Sequence, residues 1–126
     1  MPPTRRDPED FLPLHPLAFR VLLSVAEGPS FGTEIVQRIE AAERGGRRLY
    51  PANLYRRVRD LLADDLLEEC AAPAGVDPRR TYLQLTTLGR EVAAAETRRL
   101  RELLHDAEAV ALHEARARHG VRGGNA

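Results

Sequence analysis

The longest uninterrupted helical pattern in this sequence occupies its last third. From Thr87 to about Arg118, no proline or glycine pair interrupts the helical spacing of apolar side chains. The face predicted by this spacing consists of Leu100, Leu103, Leu104, Ala107, Val110 and Ala111. A lone helix cannot bury such a face, and the mixed charges around it, Glu96 among them, are typical of a helix packed along one seam. We therefore expect a dimerisation helix; packing of this face on the chain's own domain is the alternative.

A second helical segment, from Tyr50 to Asp65, combines an apolar stripe with arginines. Pro51 suits its first helical position, where a missing N–H has no partner to lose. The stripe predicted to be buried is Leu54, Val58, Leu61 and Leu62. The side chains predicted to face outward include Asn53, Tyr55, Arg56, Arg57 and Arg59. Because Asn and Arg can pair with base edges and Tyr and Arg can hold phosphates, this helix has the chemistry of a major-groove reader. A solvated amphipathic helix is the alternative.

Two further helices are predicted before this segment. The first runs from Leu14 to the Gly28-Pro29 break. The second is expected to be capped by Ser30. Its predicted buried residues are Phe31, Ile35, Val36 and Ile39. Arg47 and Arg48 then place positive charge at the entry to the arginine-bearing helix. This order predicts three helices before any strand.

The segment after the arginine-bearing helix predicts a β-hairpin, here called the wing. Residues 66–71 resemble a short strand, and a run of small residues, prolines and a glycine follows them. Residues 80–86 alternate with the period of a strand. The residues expected on the buried face of this strand are Thr81, Leu83 and Leu85. Tyr82 is expected on the opposite face. Arg79 and Arg80 stand where a hairpin could lay them along DNA; a solvated turn is the alternative.

Composition limits the size and class of the protein. A chain of 126 residues is expected to hold one domain, whose core a partner subunit can complete. The net charge of zero gives no global sign of nucleic acid, so local charge placement carries the argument. The single cysteine, Cys70, is expected to pack as a small hydrophobe and fits a reducing cytosol. No signal peptide or membrane-length apolar stretch is present, so we expect a cytoplasmic protein without a membrane partner.

These elements divide the chain into four predicted parts. Residues 1–13 contain four prolines and mixed charges, and we expect a flexible N-terminal arm. Residues 14–86 are expected to form a winged helix-turn-helix, mainly α with a small β-hairpin. Residues 87–119 are the predicted dimerisation helix, and residues 120–126 a disordered tail.

Several short motifs in this order resemble the PadR family of transcriptional regulators, over roughly Leu14 to Arg90. Gly28-Pro29 followed by Gly32-Thr33-Glu34-Ile35 is similar to the family's glycine, aromatic, glutamate, isoleucine motif. Asn53-Leu54-Tyr55 resembles its recognition-helix leucine-tyrosine pair. Residues 82–90 resemble the tyrosine, leucine-threonine, glycine signature that closes the wing.

Three places depart from the family pattern. Thr33 replaces an aromatic residue, Tyr50 and Ala52 replace a serine and a glycine, and Asp65 replaces the glycine before the first wing strand. The resemblance implies a dimeric DNA-binding repressor that a small phenolic or other aromatic ligand often releases. Because this chain has no Trp and few other aromatic residues, we expect a weak or absent response to such a ligand. A different small-molecule effector is left open.

Enzymatic and metal-dependent functions are not predicted. The four histidines lack the i, i+4 spacing of a metal site, and neither a glycine-rich phosphate loop nor a G-x-S-x-G motif occurs. We therefore expect no cofactor. The predicted function is that of a sequence-specific DNA-binding repressor, which binds a roughly palindromic operator as a homodimer. The alternative is a winged-helix module that contacts another protein, such as an anti-repressor, and the neutral net charge leaves it open.

Overall fold

The computed structural model describes residues 6–42, 51–75 and 77–124 and is mostly helical, with one small antiparallel sheet. Its elements, in chain order, are a 3₁₀ turn at Pro8–Phe11, α1 at Pro16–Val25, β1 at Ser30–Phe31, α2 at Gly32–Ala42, α3 at Pro51–Ala63, β2 at Leu67–Cys70, β3 at Tyr82–Leu85 and α4 at Thr87–Gly124. Helix α3 begins at Pro51, as expected. This order confirms the predicted fold, in which three helices and a wing precede a long C-terminal helix.

Helices α1, α2 and α3 pack around one apolar core together with the sheet. On α3, Leu54 and Leu61 are buried, and Val58 and Leu62 pack against the same cluster, so the predicted stripe is confirmed. The other fully buried large apolar residues are Val21, Leu22, Val25, Ile35, Ile39, Leu66, Leu67 and Val92. Each such side chain contributes about 1.5–3 kcal/mol through burial. The core therefore fixes which side of α3 remains exposed.

The sheet has three strands in the order β1-β3-β2, and the first of them was not predicted. Ser30 and Phe31 pair with Leu83 and Tyr82 of β3 before α2 begins. The expectation that Ser30 caps α2 is therefore wrong, as is the expectation that no strand precedes the third helix. The Ser30 hydroxyl instead donates to the Gly28 carbonyl, at 3.1 Å, and accepts from the Arg38 guanidinium, at 2.6 Å.

The alternation predicted for residues 80–86, which include the central strand β3, fails at two residues. Tyr82 is buried and Thr81 is exposed, the reverse of the expectation for both, while Leu83 and Leu85 are buried as expected. The ring of Phe31 covers Tyr82, with 5.5 Å between ring centroids and 70° between ring planes. A strand that the sequence pattern does not predict thus places an aromatic neighbour beside Tyr82.

The turn from α3 into the wing depends on backbone hydrogen bonds around Asp65. The Leu66 N–H donates to Leu61 and the Asp65 N–H to Leu62, the paired bonds of a Schellman motif. Asp65 has a φ of 63°, in the left-handed region where glycine is favoured. The Thr86 hydroxyl donates to the Asp65 carbonyl at 2.6 Å and accepts from the Gly89 N–H at 2.9 Å, so Thr86 also caps α4.

The N-terminal segment is docked on the core from its 3₁₀ turn onward. Phe11 and Leu12 pack against the core cluster, and Asp7 caps the turn by accepting from the Glu9 N–H. This differs from the flexible arm predicted for residues 1–13, because two apolar side chains follow the prolines. Residues 1–5 lie outside the described residues.

Glu96 is buried, which corrects its assignment to a charged outer surface. Its carboxylate accepts a hydrogen bond from the backbone N–H of Leu14 at 2.6 Å. A buried carboxylate is tolerated when such donors replace water. The first part of α4 therefore belongs to the packed core, through Val92, Ala95 and Glu96.

Contacts divide the chain into two compact units, Met1–Glu96 and Thr97–Ala126. Helix α4 continues to Gly124, so residues 120–124 are helical rather than the predicted disordered tail. Each glycine lowers the stability of a helix by about 1 kcal/mol relative to alanine, but extending an existing helix avoids the free-energy cost of nucleation. Residues 125 and 126 lie outside the described residues. Among the residues that are described, no helix has the length and apolar character needed to cross a membrane.

Candidate nucleic-acid interface

Five of the predicted DNA-contacting side chains lie on α3. Because Leu54 is completely buried, the side chains around the rest of the helix turn away from the core. Those that are exposed are Asn53, Tyr55, Arg56 and Arg59. Arg57 is half-buried and lies 4.0 Å from Asp60, a weak pair within one turn of the helix. Arg47 and Arg48, predicted at the entry to this helix, lie outside the described residues.

A hollow of about 530 Å³ opens between α3, the start of α2 and the wing. It is lined by Phe31, Gly32, Thr33, Gln37, Tyr55, Arg80 and Thr81. The ring of Tyr55 lies against Gly32, where an added Cβ would be 3.5 Å from Tyr55 Cε1. The structure therefore brings one predicted residue of α3 and one predicted residue of the wing to the same hollow.

Arg80 is held against an aromatic ring. Its guanidinium carbon lies 4.4 Å from the centroid of the Phe31 ring, within the range of a cation–π contact. Arg80 makes no ion pair with a carboxylate of the described residues. Its positive charge is therefore placed at the hollow, and it acts on the nearby Asp77 carboxylate through space rather than through an ion pair.

Arg79 has a different environment, although it is the neighbour of Arg80. Its Nε lies 3.2 Å and its Nη2 3.3 Å from the two carboxylate oxygens of Asp77. Hydrogen bonds from the Arg79 side chain and backbone N–H hold the pKa of Asp77 below its ordinary value. Asp77 is therefore ionised at neutral pH, and the Arg79 side chain, which is 90% exposed, remains paired with it.

The predicted dimerisation face lies on the part of α4 within the second unit. Leu103, Leu104 and Val110 are 54%, 59% and 60% exposed. Ala107 and Ala111 are also exposed, and Leu100 is half-buried. Leu112, which was not included in the predicted face, is a further exposed leucine. The helix therefore presents several large apolar side chains to solvent.

Cys70 is a half-buried free thiol on β2. Burial, followed by the negative charge of Glu68, raises its pKa above the ordinary value. The thiol is therefore protonated at neutral pH and is a poor nucleophile, in keeping with packing as a small side chain. Within the described part of the chain, no group of three or more His, Cys, Asp or Glu side chains is placed to hold a metal ion.

Three residues that shape this surface were not among the predicted site residues. Helical spacing assigns Phe31 to the core alone, and its contact with Arg80 depends on a strand pairing that local pattern does not reveal. Gly32 belongs to the family motif, and its place in the first turn of α2 indicates close approach of the backbone, but neither signal assigns it to the interface. Asp77 could have been identified from the sequence, because an Asp side chain in a turn commonly accepts a hydrogen bond from the backbone N–H two residues later, here that of Arg79.

Comparison with known proteins agrees with this fold. The family profile described as "Transcriptional regulator PadR-like family" matches residues 21–95. No curated protein matches the chain at a significant level.

Solved structures show the same architecture. A PadR family transcription regulator from Clostridium difficile has a TM-score of 0.65 at 14% identity, covering 75% of this chain and 96% of that one. A PadR-like transcriptional regulator from Bacillus cereus has a TM-score of 0.66 at 15% identity, covering 75% and 89%. A conserved protein of unknown function, described as a potential transcriptional factor, has a TM-score of 0.66 at 27% identity, covering 80% and 89%. Since the family profile matches more than half of the 126 residues, the chain belongs to the PadR-like family of transcriptional regulators.

Proposed function

We propose that this chain is a repressor that binds double-stranded DNA in the cytoplasm as a homodimer. The observation that carries the proposal is the side-chain chemistry exposed on α3 and at the adjoining hollow. Asn53 and Arg56 are exposed on α3, while Tyr55 and Arg80 line the hollow between α3 and the wing. This combines side chains that can read bases with side chains that can hold phosphate.

The proposed roles follow from position on these elements. Asn53 and Arg56 lie in the first half of α3, the end that enters the major groove in helix-turn-helix proteins, and they read bases. The remaining side chains hold phosphate or the minor groove and set affinity; they are Tyr55, Arg57, Arg59, Arg79 and Arg80. Arg47 and Arg48 add positive charge before α3. In this scheme residues 14–86 are the DNA-binding domain.

Residues 87–119 supply the dimer contact in this proposal. Exposed large apolar side chains such as Leu103, Leu104 and Val110 favour association with another apolar face. A second copy of the chain offers that face, and two-fold symmetry is the commonest arrangement of such pairs. A dimer with two α3 helices favours a roughly palindromic operator, with half-site centres about 10 base pairs or a multiple of that apart.

Substitution of Arg56 tests whether α3 reads sequence. The operator is first selected from random duplexes with the purified full-length protein. Arg56→Ala is then expected to cost about 1–3 kcal/mol in binding the operator and to relax preference at one position per half-site. The measurement is a titration of operator and mixed-sequence duplex with each protein across a salt series.

Arg98→Ala is the matched control, because it removes one exposed arginine from α4 instead of α3. If Arg56→Ala weakens operator and mixed-sequence DNA equally, α3 does not read bases through Arg56. If the wild-type protein binds no duplex at any salt concentration, the proposed function is wrong and the protein-contact alternative replaces it.

A further inference from the structure

We propose that Phe31 is a positioning residue for DNA binding. Its ring holds Arg80 at the rim of the hollow, so that Arg80 and Tyr55 receive the same phosphate group of the DNA backbone. This inference rests on the proposed function, because it assigns a phosphate to one part of the proposed DNA surface. Phe31 itself need not touch DNA.

The contact between Arg80 and Phe31 restricts a side chain that would otherwise sample many rotamers. The guanidinium carbon lies 4.4 Å from the ring centroid. At exposed sites such a contact favours the bound rotamer by roughly 2- to 5-fold. An arginine that is already held in place loses less conformational freedom when it meets a phosphate.

Phe31 is itself fixed by the wing. It pairs with Tyr82 in the register of β1 and β3, and its ring meets the buried Tyr82 ring edge-on, at 5.5 Å between centroids. The backbone of Phe31 is also tied to α2, which begins at the next residue. The position of Arg80 is therefore dictated by Phe31, and not the reverse.

The residue after Phe31 sets the other side of the proposed phosphate site. Gly32 has no side chain, and the ring of Tyr55 lies against it at ordinary van der Waals distance. Phe31 thus contacts Arg80 of the wing and Gly32 contacts Tyr55 of α3, so two consecutive residues adjoin both side chains at the hollow. The volume of about 530 Å³ accommodates a phosphate group with several waters, since each water occupies about 30 Å³.

The charges on the wing favour Arg80 over Arg79 for this role. Arg79 is bound through two nitrogens to the Asp77 carboxylate, so a phosphate must compete with that carboxylate. Arg80 makes no ion pair with a carboxylate of the described residues, and it acts on Asp77 only through space. Of the two adjacent arginines, Arg80 is therefore the one available to an external anion, and Arg79 is its natural control.

The test measures binding of full-length variants to a mixed-sequence duplex across a salt series. Arg80→Ala is expected to lower the slope of log affinity against log salt by about one unit for each bound protomer. Phe31→Leu is expected to weaken binding by about 2- to 5-fold for each bound protomer, and Phe31→Tyr, which keeps the ring, to bind like wild type. Arg79→Ala is expected to change affinity less than Arg80→Ala.

The double variant Phe31→Leu/Arg80→Ala separates positioning from damage to the fold. If Phe31 acts through Arg80, the double variant binds no more weakly than Arg80→Ala. An additional loss equal to that of Phe31→Leu alone overturns the inference, because the ring would then act elsewhere or through stability. Wild-type affinity for Phe31→Leu overturns it while leaving the proposed function intact, whereas failure of the wild-type protein to bind the duplex overturns both.

Discussion

Helix α3 and the part of α4 in the second unit carry similar apolar stripes but have opposite exposures. Leu54 of α3 is fully buried, while Leu104 of α4 is 59% exposed. Helical spacing predicts which side chains share a face, but it does not identify what covers that face. For α3 the cover is the core of its own unit, which includes α1 and the sheet.

This difference gives the two stripes different energetic roles. Burial of the α3 stripe contributes to the stability of the first unit at any protein concentration. The exposed α4 stripe contributes only when another surface covers it, and for a second copy that contribution rises with protein concentration. We therefore expect substitutions in the two stripes to differ in how their effects depend on concentration.

The largest expected effect is that of Leu54→Ala. Removing a fully buried leucine side chain is expected to lower the free energy of unfolding by about 2–5 kcal/mol, at low and at high protein concentration. The matched variant Leu104→Ala is expected to reduce stability less, and only at concentrations where the dimer forms. Urea denaturation at several protein concentrations measures both effects.

If Leu104→Ala lowers the free energy of unfolding equally at every protein concentration, the proposed difference between the two stripes is wrong. That result would support packing of the α4 face on the chain's own domain, the alternative that the sequence leaves open. Light scattering gives an independent check, because Leu103→Glu/Leu104→Glu is expected to be monomeric where the wild-type protein is dimeric. A dimeric double variant, or a monomeric wild type at micromolar concentration, would contradict the assigned dimer face.

The next largest effect is expected at Gly89, in the first turn of α4. A Cβ at this position would overlap the carbonyl oxygen of Leu66 and lie 3.0 Å from its carbonyl carbon. Because that neighbour is backbone, Gly89→Ala is expected to lower the free energy of unfolding by about 1–3 kcal/mol. Gly28→Ala is the control, since nothing lies within 4 Å of the added methyl group. Equal thermal stability of the two variants would show that the start of α4 can shift from the wing.

Local pattern was sufficient for much of the fold. The start of α3 at Pro51 and its buried stripe follow from proline geometry and helical spacing, which act within a few residues. The errors involve partners that are distant in sequence. Ser30 has the local signal of a helix cap, but pairing of β1 with Leu83 and the hydrogen bond from Arg38 determine its position.

The candidate site was predictable in its chemistry but not in its arrangement. Residue type and helical spacing identified the exposed polar residues of α3, and turn residues identified the wing. The sequence pattern predicts the same role for Arg79 and Arg80. Arg79 pairs with Asp77, which is only two residues away in the sequence. Arg80 contacts Phe31, which is distant in the sequence and is brought near it by the three-stranded sheet.

The smallest expected effect concerns Asp65, a residue with a Cβ at the left-handed position that ends α3. Asp65 is exposed and has a φ of 63° at the end of α3. The left-handed conformation is strained for residues with a Cβ, although Asp tolerates it better than most. Asp65→Gly removes this strain but makes the unfolded chain more flexible, so the free energy of unfolding is expected to rise by no more than about 1 kcal/mol.

Asp65→Ala separates the two contributions at this turn. It keeps a Cβ in the left-handed region but removes the carboxylate, so it is expected to be less stable than both wild type and Asp65→Gly. The hydrogen bond from the Thr86 hydroxyl reaches the backbone carbonyl of residue 65 and is therefore available in all three proteins. Chemical denaturation of the three proteins gives the order. If Asp65→Gly is the least stable of them, the Cβ at residue 65 strains the folded turn by less than it restricts the unfolded chain.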